Sequence, residues 1–112
     1  MTTSGPIPPP DLSDAAVEFW RRIVEDWDEW EVHHELLLGQ ALRQWDLARE
    51  ARGLWKDAGM MISDPSPRSP DRVKPHPALA IENKATTQVR LIFRELGLDF
   101  EDPNDNRPAK GS

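Results

Sequence analysis

The clearest hydrophobic pattern in the chain runs from Lys74 to Asp99. Apolar residues recur there at three- and four-residue steps and fall, at 100° per residue, within an arc of about 120°. These residues are Ala78, Ile81, Ala85, Val89, Ile92, Phe93 and Leu96. Pro77 suits the first helical position, and Gly97 can adopt the left-handed backbone that ends many helices, with Leu98 folding back on the last turn. The pattern predicts one helix from Pro77 to Gly97 with a single buried face.

A second amphipathic pattern follows Ser13, which is a suitable N-cap. Its apolar residues keep helical spacing to about residue 28 or 30, and they are Ala16, Phe19, Trp20, Ile23, Val24, Trp27 and Trp30. Acidic residues crowd the end of this stretch, where they oppose the helix macrodipole. We interpret the stripe as a core-facing helix. An alternative is that Trp27 and Trp30 fill a groove on a neighbouring subunit.

The longest predicted helix lies between these two, from about His34 to Ala58, and Gly59 ends it. Its apolar residues cover roughly 200° of the circumference, which is too wide for one neighbour. Such a helix must pack on both other helices, or on one of them and a second subunit. The sequence therefore predicts an all-α fold, a small three-helix bundle protomer.

The remaining segments set the domain boundaries. Residues 1–11 are rich in proline and predict a disordered or polyproline arm, while the polar residues 100–112 predict a disordered tail. Residues 12–99 form the helical domain. Within it, residues 60–75 hold four prolines and predict a loop, in which residues 60–62 can form a short extended piece.

Five tryptophans are many for a chain of 112 residues, because large apolar rings are costly to leave in water. A chain of this size has a small core. We therefore predict that some indoles are covered by another copy of the chain, and that Trp27, Trp30, Trp45 and Trp55 lie at this oligomer interface.

The net charge of −6 argues against indiscriminate nucleic-acid binding, because attraction to phosphate grows with the basic charge presented. The excess of acid is concentrated in residues 1–59, which carry 12 acidic and 6 basic side chains. Residues 60–100 carry 5 acidic and 6 basic side chains. The second half of the chain is therefore the half able to present basic charge.

Two basic groups stand out in that half. Arg68, Arg72 and Lys74 lie in the loop, and Arg90 and Arg94 lie on the polar side of the last helix. Solvated surface charge and phosphate contact are both open interpretations of these residues.

The sequence contains none of the common catalytic or nucleotide-binding motifs, and it has no cysteine. His33 and His34 are adjacent, so on a helix they point about 100° apart and do not predict a metal site. We predict no catalytic residues, no metal and no cofactor. No apolar run approaches the length of a membrane span, and the first residues lack a signal-peptide pattern, so an intracellular protein is expected.

Three segments of the sequence carry recognisable motifs. Lys74 to Glu82 reads Lys-Pro-His-Pro-Ala-Leu-Ala-Ile-Glu, and Phe93 to Asp99 reads Phe-Arg-Glu-Leu-Gly-Leu-Asp. These two segments resemble the start and the end of the last helix in one branch of the phage terminase small subunit family. The third similarity is the pattern Leu-Ser-x-x-Ala-x-x-x-Trp, which is carried here by Leu12, Ser13, Ala16 and Trp20.

The resemblance implies a non-enzymatic small subunit of a viral DNA-packaging terminase. Such subunits assemble as rings, bind double-stranded viral DNA and regulate the ATPase and nuclease of the large subunit in the host cell cytoplasm. It favours the interpretation in which the basic residues contact DNA, namely Arg68, Arg72, Lys74, Arg90 and Arg94. The alternative is a helical protein–protein interaction module with no nucleic-acid role.

Overall fold

The computed structural model describes residues 6–27 and 29–100. Its elements are α1 (Asp14–Glu25), α2 (Val32–Ala58), β1 (Met61–Ser63), β2 (Val73–Pro75) and α3 (Pro77–Leu96). The predicted all-α architecture of three helices is confirmed, with a small antiparallel hairpin added to it. Within the described residues, no helix is both long and apolar enough to span a bilayer.

Helix α1 begins as predicted but ends early. The Ser13 hydroxyl accepts a hydrogen bond from the backbone N–H of Ala16 at 3.1 Å, and it donates to Asp46 of α2 at 2.5 Å. The helix ends at Glu25, not at residue 28 or 30. The following acidic residues would face the negative end of a longer helix, which is unfavourable. Trp27 therefore lies in the link to α2 and not on the helical stripe.

Helix α2 begins at Val32, two residues earlier than predicted. The imidazole of His34 explains this start, because its Nδ1 accepts a hydrogen bond from the backbone N–H of Glu31 at 3.2 Å. This satisfies one of the N–H groups that a helix N-terminus leaves without a partner. Gly59 ends the helix with a φ of 99°, as expected.

Helix α3 has the predicted ends. The Nδ1 atom of His76 accepts from the backbone N–H of Ala78 at 3.0 Å, and Pro77 occupies the first turn. At the other end Gly97 has a φ of 78°, and the N–H of Leu98 reaches the carbonyl of Phe93 at 2.8 Å. Leu98 then packs against the core. These bonds satisfy carbonyls that the last turn would leave unpaired.

The loop prediction for residues 60–75 was incomplete. The extended piece exists, but it pairs with a second strand, with Met61 opposite Pro75 and Ser63 opposite Val73. The N–H of His76 also donates to the carbonyl of Met60 at 2.7 Å. The hairpin thus connects α2 to α3 and extends almost to the first turn of α3.

The core lies where α1 packs on the α2–α3 pair. The ring of Phe19 is 5.0 Å from that of Trp45 and 5.9 Å from that of Phe93, so it joins all three helices. Phe100 extends this aromatic group, 5.2 Å from Phe93. The buried cluster consists of Leu12, Ala16, Trp20, Leu38, Ala41, Leu42, Trp45, Val89, Phe93 and Leu96.

The half of the α2–α3 pair nearest the hairpin is packed differently. Its buried side chains are alanines, namely Ala48, Ala51, Ala78 and Ala85. Small side chains let the two helices approach closely but bury little apolar area. The indole N–H of Trp55 donates to Glu82 at 2.6 Å across the same contact. Larger apolar side chains in this half stay exposed, namely Leu47, Leu54 and Ile81.

Candidate nucleic-acid and subunit surfaces

The three basic residues predicted in the loop do not have the same surroundings. Arg72 forms an ion pair with Asp64, whose carboxylate lies 3.2 Å from the Arg72 Nε. This pair offsets the charge of Arg72 locally. Arg68 and Lys74 are exposed, and neither has an ion-pair partner within the described part of the chain. They are the two hairpin cations available to another molecule.

The tip of the hairpin is closed by reciprocal backbone bonds between Ser66 and Ser69, at 3.1 Å and 3.0 Å. The Ser66 hydroxyl also accepts from the Ser69 N–H at 3.1 Å. Arg68 lies inside this turn, so its backbone is held by its neighbours while its side chain projects into solvent. The hairpin therefore presents Arg68 from a defined turn.

Arg90 and Arg94 belong to a polar strip along the outer side of α3, which also includes Asn83 and Thr87. Steps of four, three and four residues place the four side chains on one side of the helix, and all four are exposed. We call this strip the α3 polar stripe. Neither arginine has an ion pair among the described residues.

The two acidic residues of α3 lie off the α3 polar stripe. Glu82 is turned toward α2, where it accepts from the Trp55 indole and lies 3.7 Å from Arg52. Glu95 lies about 100° around the helix from Arg94. No acidic residue of α3 therefore lies on the α3 polar stripe, although Asp99, just beyond the helix, lines the same pocket as Arg90 and Arg94.

Lys84 adds a further exposed cation near the α3 polar stripe. Lys84 was not among the predicted site residues, although its helical position, about 60° from Thr87, was a usable signal. The two predicted basic groups are not brought together. Arg90 is 13 residues beyond Pro77, which is about 20 Å along the axis of α3. The hairpin cations and the helix cations therefore form two separate groups.

Trp45 does not occupy the predicted subunit interface. Only 2% of it is exposed, and its ring packs edge-on against Phe19 of α1. The guanidinium of Arg49 lies 4.8 Å from the ring centre and covers it further. The reason is the position of Trp45 on the side of α2 that faces α1. Its indole is part of the core of a single chain.

Trp27 and Trp30 form a half-buried cluster with His34 at the start of α2. The indole rings are 4.3 Å apart, and Trp27 is 5.0 Å from the imidazole. The Nε1 of Trp30 is buried and has no hydrogen-bond acceptor among the described residues. A buried donor without an acceptor is costly, and this N–H is enclosed by the chain itself.

Trp55 lies at the opposite end of α2. It is 21 residues beyond His34, which corresponds to roughly 30 Å along the helix. Its ring is half-buried and its N–H is already bonded to Glu82. The tryptophans that keep accessible area are thus divided between the two ends of the longest helix.

The N-terminal segment that precedes α1 makes specific contacts from residue 6 onward. The Trp20 indole donates to the carbonyl of Pro6 at 3.4 Å, and Arg43 bonds the Asp11 carboxylate at 2.8 Å. The hydrogen bond from Arg43 lowers the pKa of Asp11. The division of the chain at residue 11 stays a prediction. Residues 1–5 of the predicted arm and residues 101–112 of the predicted tail lie outside the described residues.

No group of three histidine, aspartate or glutamate side chains in the described ranges is arranged to hold a metal ion. The imidazoles of His34 and His76 are instead used as acceptors at the starts of α2 and α3. The surfaces described above instead present exposed cations and partly exposed indole rings.

The chain matches one known protein family. A family model described as "Phage terminase, small subunit" matches residues 16–110. The match covers nearly all of α1 and the whole of α2, the hairpin and α3. No curated protein matches the sequence, and no solved structure matches it.

Proposed function

We propose that this chain, which belongs to the phage terminase small-subunit family, binds double-stranded viral DNA as a homo-oligomeric ring and regulates the large subunit. The family has a role in phage DNA packaging, which takes place in the host cell, and its members are generally non-catalytic regulatory subunits. DNA contact, ring assembly and control of the ATPase and nuclease of the large subunit are the proposed steps for this chain.

The α3 polar stripe, which carries two cations and no acidic member, is the observation that supports DNA contact most strongly. Arg90 and Arg94 are exposed and unpaired among the described residues, and Asn83 and Thr87 add hydrogen-bonding groups beside them. Arg68 and Lys74 of the hairpin extend the basic surface. Phosphate binding by such groups is electrostatic, and repetition of a weak patch around a ring strengthens it by avidity. An acidic protomer is therefore compatible with DNA binding by the assembly.

Alanine substitution of both stripe arginines tests the DNA contact. R90A/R94A should bind a fragment of phage DNA more weakly at low salt. It should also lower the slope of log affinity against log salt concentration by about 2 for each subunit in contact with DNA. The measurement is a filter-binding titration at several salt concentrations.

The variant R21A/R22A is the matched control. It removes the same charge from α1, where Arg21 and Arg22 already pair with Glu18. Equal loss in both variants would indicate a general charge effect, and unchanged binding by R90A/R94A would exclude the α3 polar stripe.

We propose that ring assembly uses the tryptophans at the two ends of α2. A head-to-tail contact joins different surfaces of neighbouring copies, and repetition of such a contact closes a ring. Trp27 and Trp30 lie at one end of α2 and Trp55 at the other. The rings at both ends are only half-buried within one chain, which supports this assignment because a neighbouring subunit would cover their remaining area.

Trp30→Ala is therefore expected to shift the assembly to smaller species while far-UV helicity is kept. Size-exclusion chromatography with light scattering measures the change in mass. Trp30→Phe retains an aromatic ring without the N–H, so it separates packing from hydrogen bonding. A Trp30→Ala variant that stays fully assembled would contradict the assignment.

A further inference from the structure

A cleft opens at the surface between the C-terminal ends of α1 and α3. It has a volume of about 250 Å³, and apolar side chains form most of its wall. The rings of Phe19 and Phe93 lie 5.9 Å apart, and Trp27 forms a third aromatic side. We call it the aromatic cleft. None of the four cations proposed to contact DNA lines it, so it is a surface separate from the α3 polar stripe and the hairpin.

The charged side chains that line the aromatic cleft are both carboxylates. Asp26 caps the end of α1 and Asp99 follows the end of α3, so they approach the cleft from two different helices. Both are exposed, and neither has an ion-pair partner among the described residues. Asp99 also borders the pocket of Arg90 and Arg94 without pairing with either. The aromatic cleft therefore carries negative charge that the described part of the chain leaves unpaired.

The two helix ends add to this negative charge. Ile23 in the last turn of α1 and Phe93 in the last turn of α3 both line the aromatic cleft. The last carbonyls of a helix carry partial negative charge. Aromatic faces in turn attract a guanidinium or ammonium group through cation–π contact. The aromatic cleft is therefore suited to the side chain of an arginine or lysine.

The acidic residues that follow α1 extend the same charge beyond the aromatic cleft. Glu25 and Glu29 are exposed, and no ion pair forms with them within residues 6–27 and 29–100. These acids oppose the macrodipole of α1. Residues that break a local rule without a compensating contact are typical of functional sites. An acidic border of this kind is complementary to a segment with several basic residues.

We propose that a basic segment of the terminase large subunit docks on this surface and places one arginine or lysine side chain in the aromatic cleft, between Asp26 and Asp99. The proposal rests on the proposed regulation of the large subunit and adds the surface through which it acts. A cleft of about 250 Å³ holds one long side chain, so the other basic residues of the segment lie over Glu25 and Glu29.

Charge selects this occupant over the other macromolecules considered for the chain. Phosphates of DNA would be repelled by the carboxylates. A second copy is a weaker match, because each copy has a net charge of −6. Asp99 lies between the aromatic cleft and the arginines of the α3 polar stripe. DNA and the large subunit would therefore occupy neighbouring surfaces of one protomer.

The variant D26N/D99N tests the proposal, because it keeps the shape of both side chains and removes their charge. It should bind the purified large subunit at least about tenfold more weakly, since the cation of the partner loses its counter-charge. Isothermal titration calorimetry measures the affinity, and high salt should reduce the difference from the wild type. Trp27 is left unchanged because it also belongs to the proposed ring contact.

The variant D57N/D71N is the matched control. It makes the same change at two other exposed aspartates that have no ion-pair partner in the described ranges. Its affinity for the large subunit should equal that of the wild type. An equal loss in D57N/D71N and D26N/D99N would overturn the proposal, because it would show a general charge effect.

Thermal unfolding separates a docking role from a structural one. D26N removes an acid from the negative end of α1, so its melting temperature should stay the same or rise while its affinity for the large subunit falls. Lost binding together with a lower melting temperature would assign Asp26 a structural role and overturn the proposal. DNA retention by D26N/D99N should not weaken, in contrast to R90A/R94A.

The same measurements distinguish failure of this inference from failure of the proposed function. Unchanged affinity of D26N/D99N for the large subunit would overturn the docking surface and leave regulation through another surface intact. If the assembled mass of D26N/D99N fell at unchanged large-subunit affinity, the occupant would be a second copy and the proposal would be wrong. A wild-type chain that does not bind the large subunit would overturn the proposed regulation together with this surface.

Discussion

Trp45→Ala is expected to lower the free energy of unfolding by roughly 3–5 kcal/mol, the usual cost of removing a buried large aromatic side chain. Trp45 is 2% exposed and packs against Phe19 of α1, while Arg49 lies over its ring. The substitution leaves a cavity between α1 and α2 that the surrounding side chains fill only in part. Urea denaturation followed by far-UV circular dichroism measures the change.

The comparison with Trp30→Ala makes this result informative. Trp30 is half-buried in the link between α1 and α2, so its loss should alter assembly more than protomer stability. Both variants must be compared at one protein concentration, because association stabilises the folded chain by mass action. If Trp45→Ala left unfolding unchanged and reduced only the assembled mass, Trp45 would belong to an interface after all.

Ala85→Leu is expected to lower the free energy of unfolding by about 1–3 kcal/mol. Ala85 is 1% exposed and lies in the contact where alanines from α2 and α3 bring the two helices close together. Three additional carbon atoms have no space there, so the helices must separate or adopt strained rotamers. Separation would also disturb the bond between Trp55 and Glu82. Thermal and urea unfolding monitored by tryptophan fluorescence report both effects.

Ala80→Leu is the matched control. It makes the same chemical change on the same helix, but Ala80 is exposed. Its effect on stability should stay within about 0.5 kcal/mol, as for most surface substitutions. Equal effects at the two positions would show that the alanine contact between α2 and α3 is looser than the structure indicates. The exposure of the leucines near the hairpin would then not result from close packing of these helices.

The ends of α3 were predictable because their chemistry is local. Pro77 at the first turn and Gly97 at the last act through backbone angles of a few neighbouring residues. The start of α1 at Ser13 was predictable for the same reason. The end of α1 was not. Periodicity alone predicts that the apolar stripe continues through Trp27 and Trp30. The acidic residues after Glu25 destabilise a longer helix, and this effect ends α1 early.

The hairpin shows where local patterns are insufficient. The sequence indicated an extended piece at residues 60–62, but a strand needs a partner, and that partner is residues 73–75. The ion pair between Asp64 and Arg72 depends on the same pairing. The sequence places three cations in this loop, but Arg72 is paired with Asp64, so only Arg68 and Lys74 are available to another molecule.

By itself the sequence determined three helices, four of their six ends (the start of α1, the end of α2 and both ends of α3), and an excess of apolar surface, because capping and periodicity act over a few residues. Only the tertiary structure decided which tryptophans are core and which stay accessible, which arginines are unpaired, and that leucines of α2 stay exposed. The physical reason is that burial and charge pairing depend on which helix sides meet, and those sides are brought together by residues far apart in the chain.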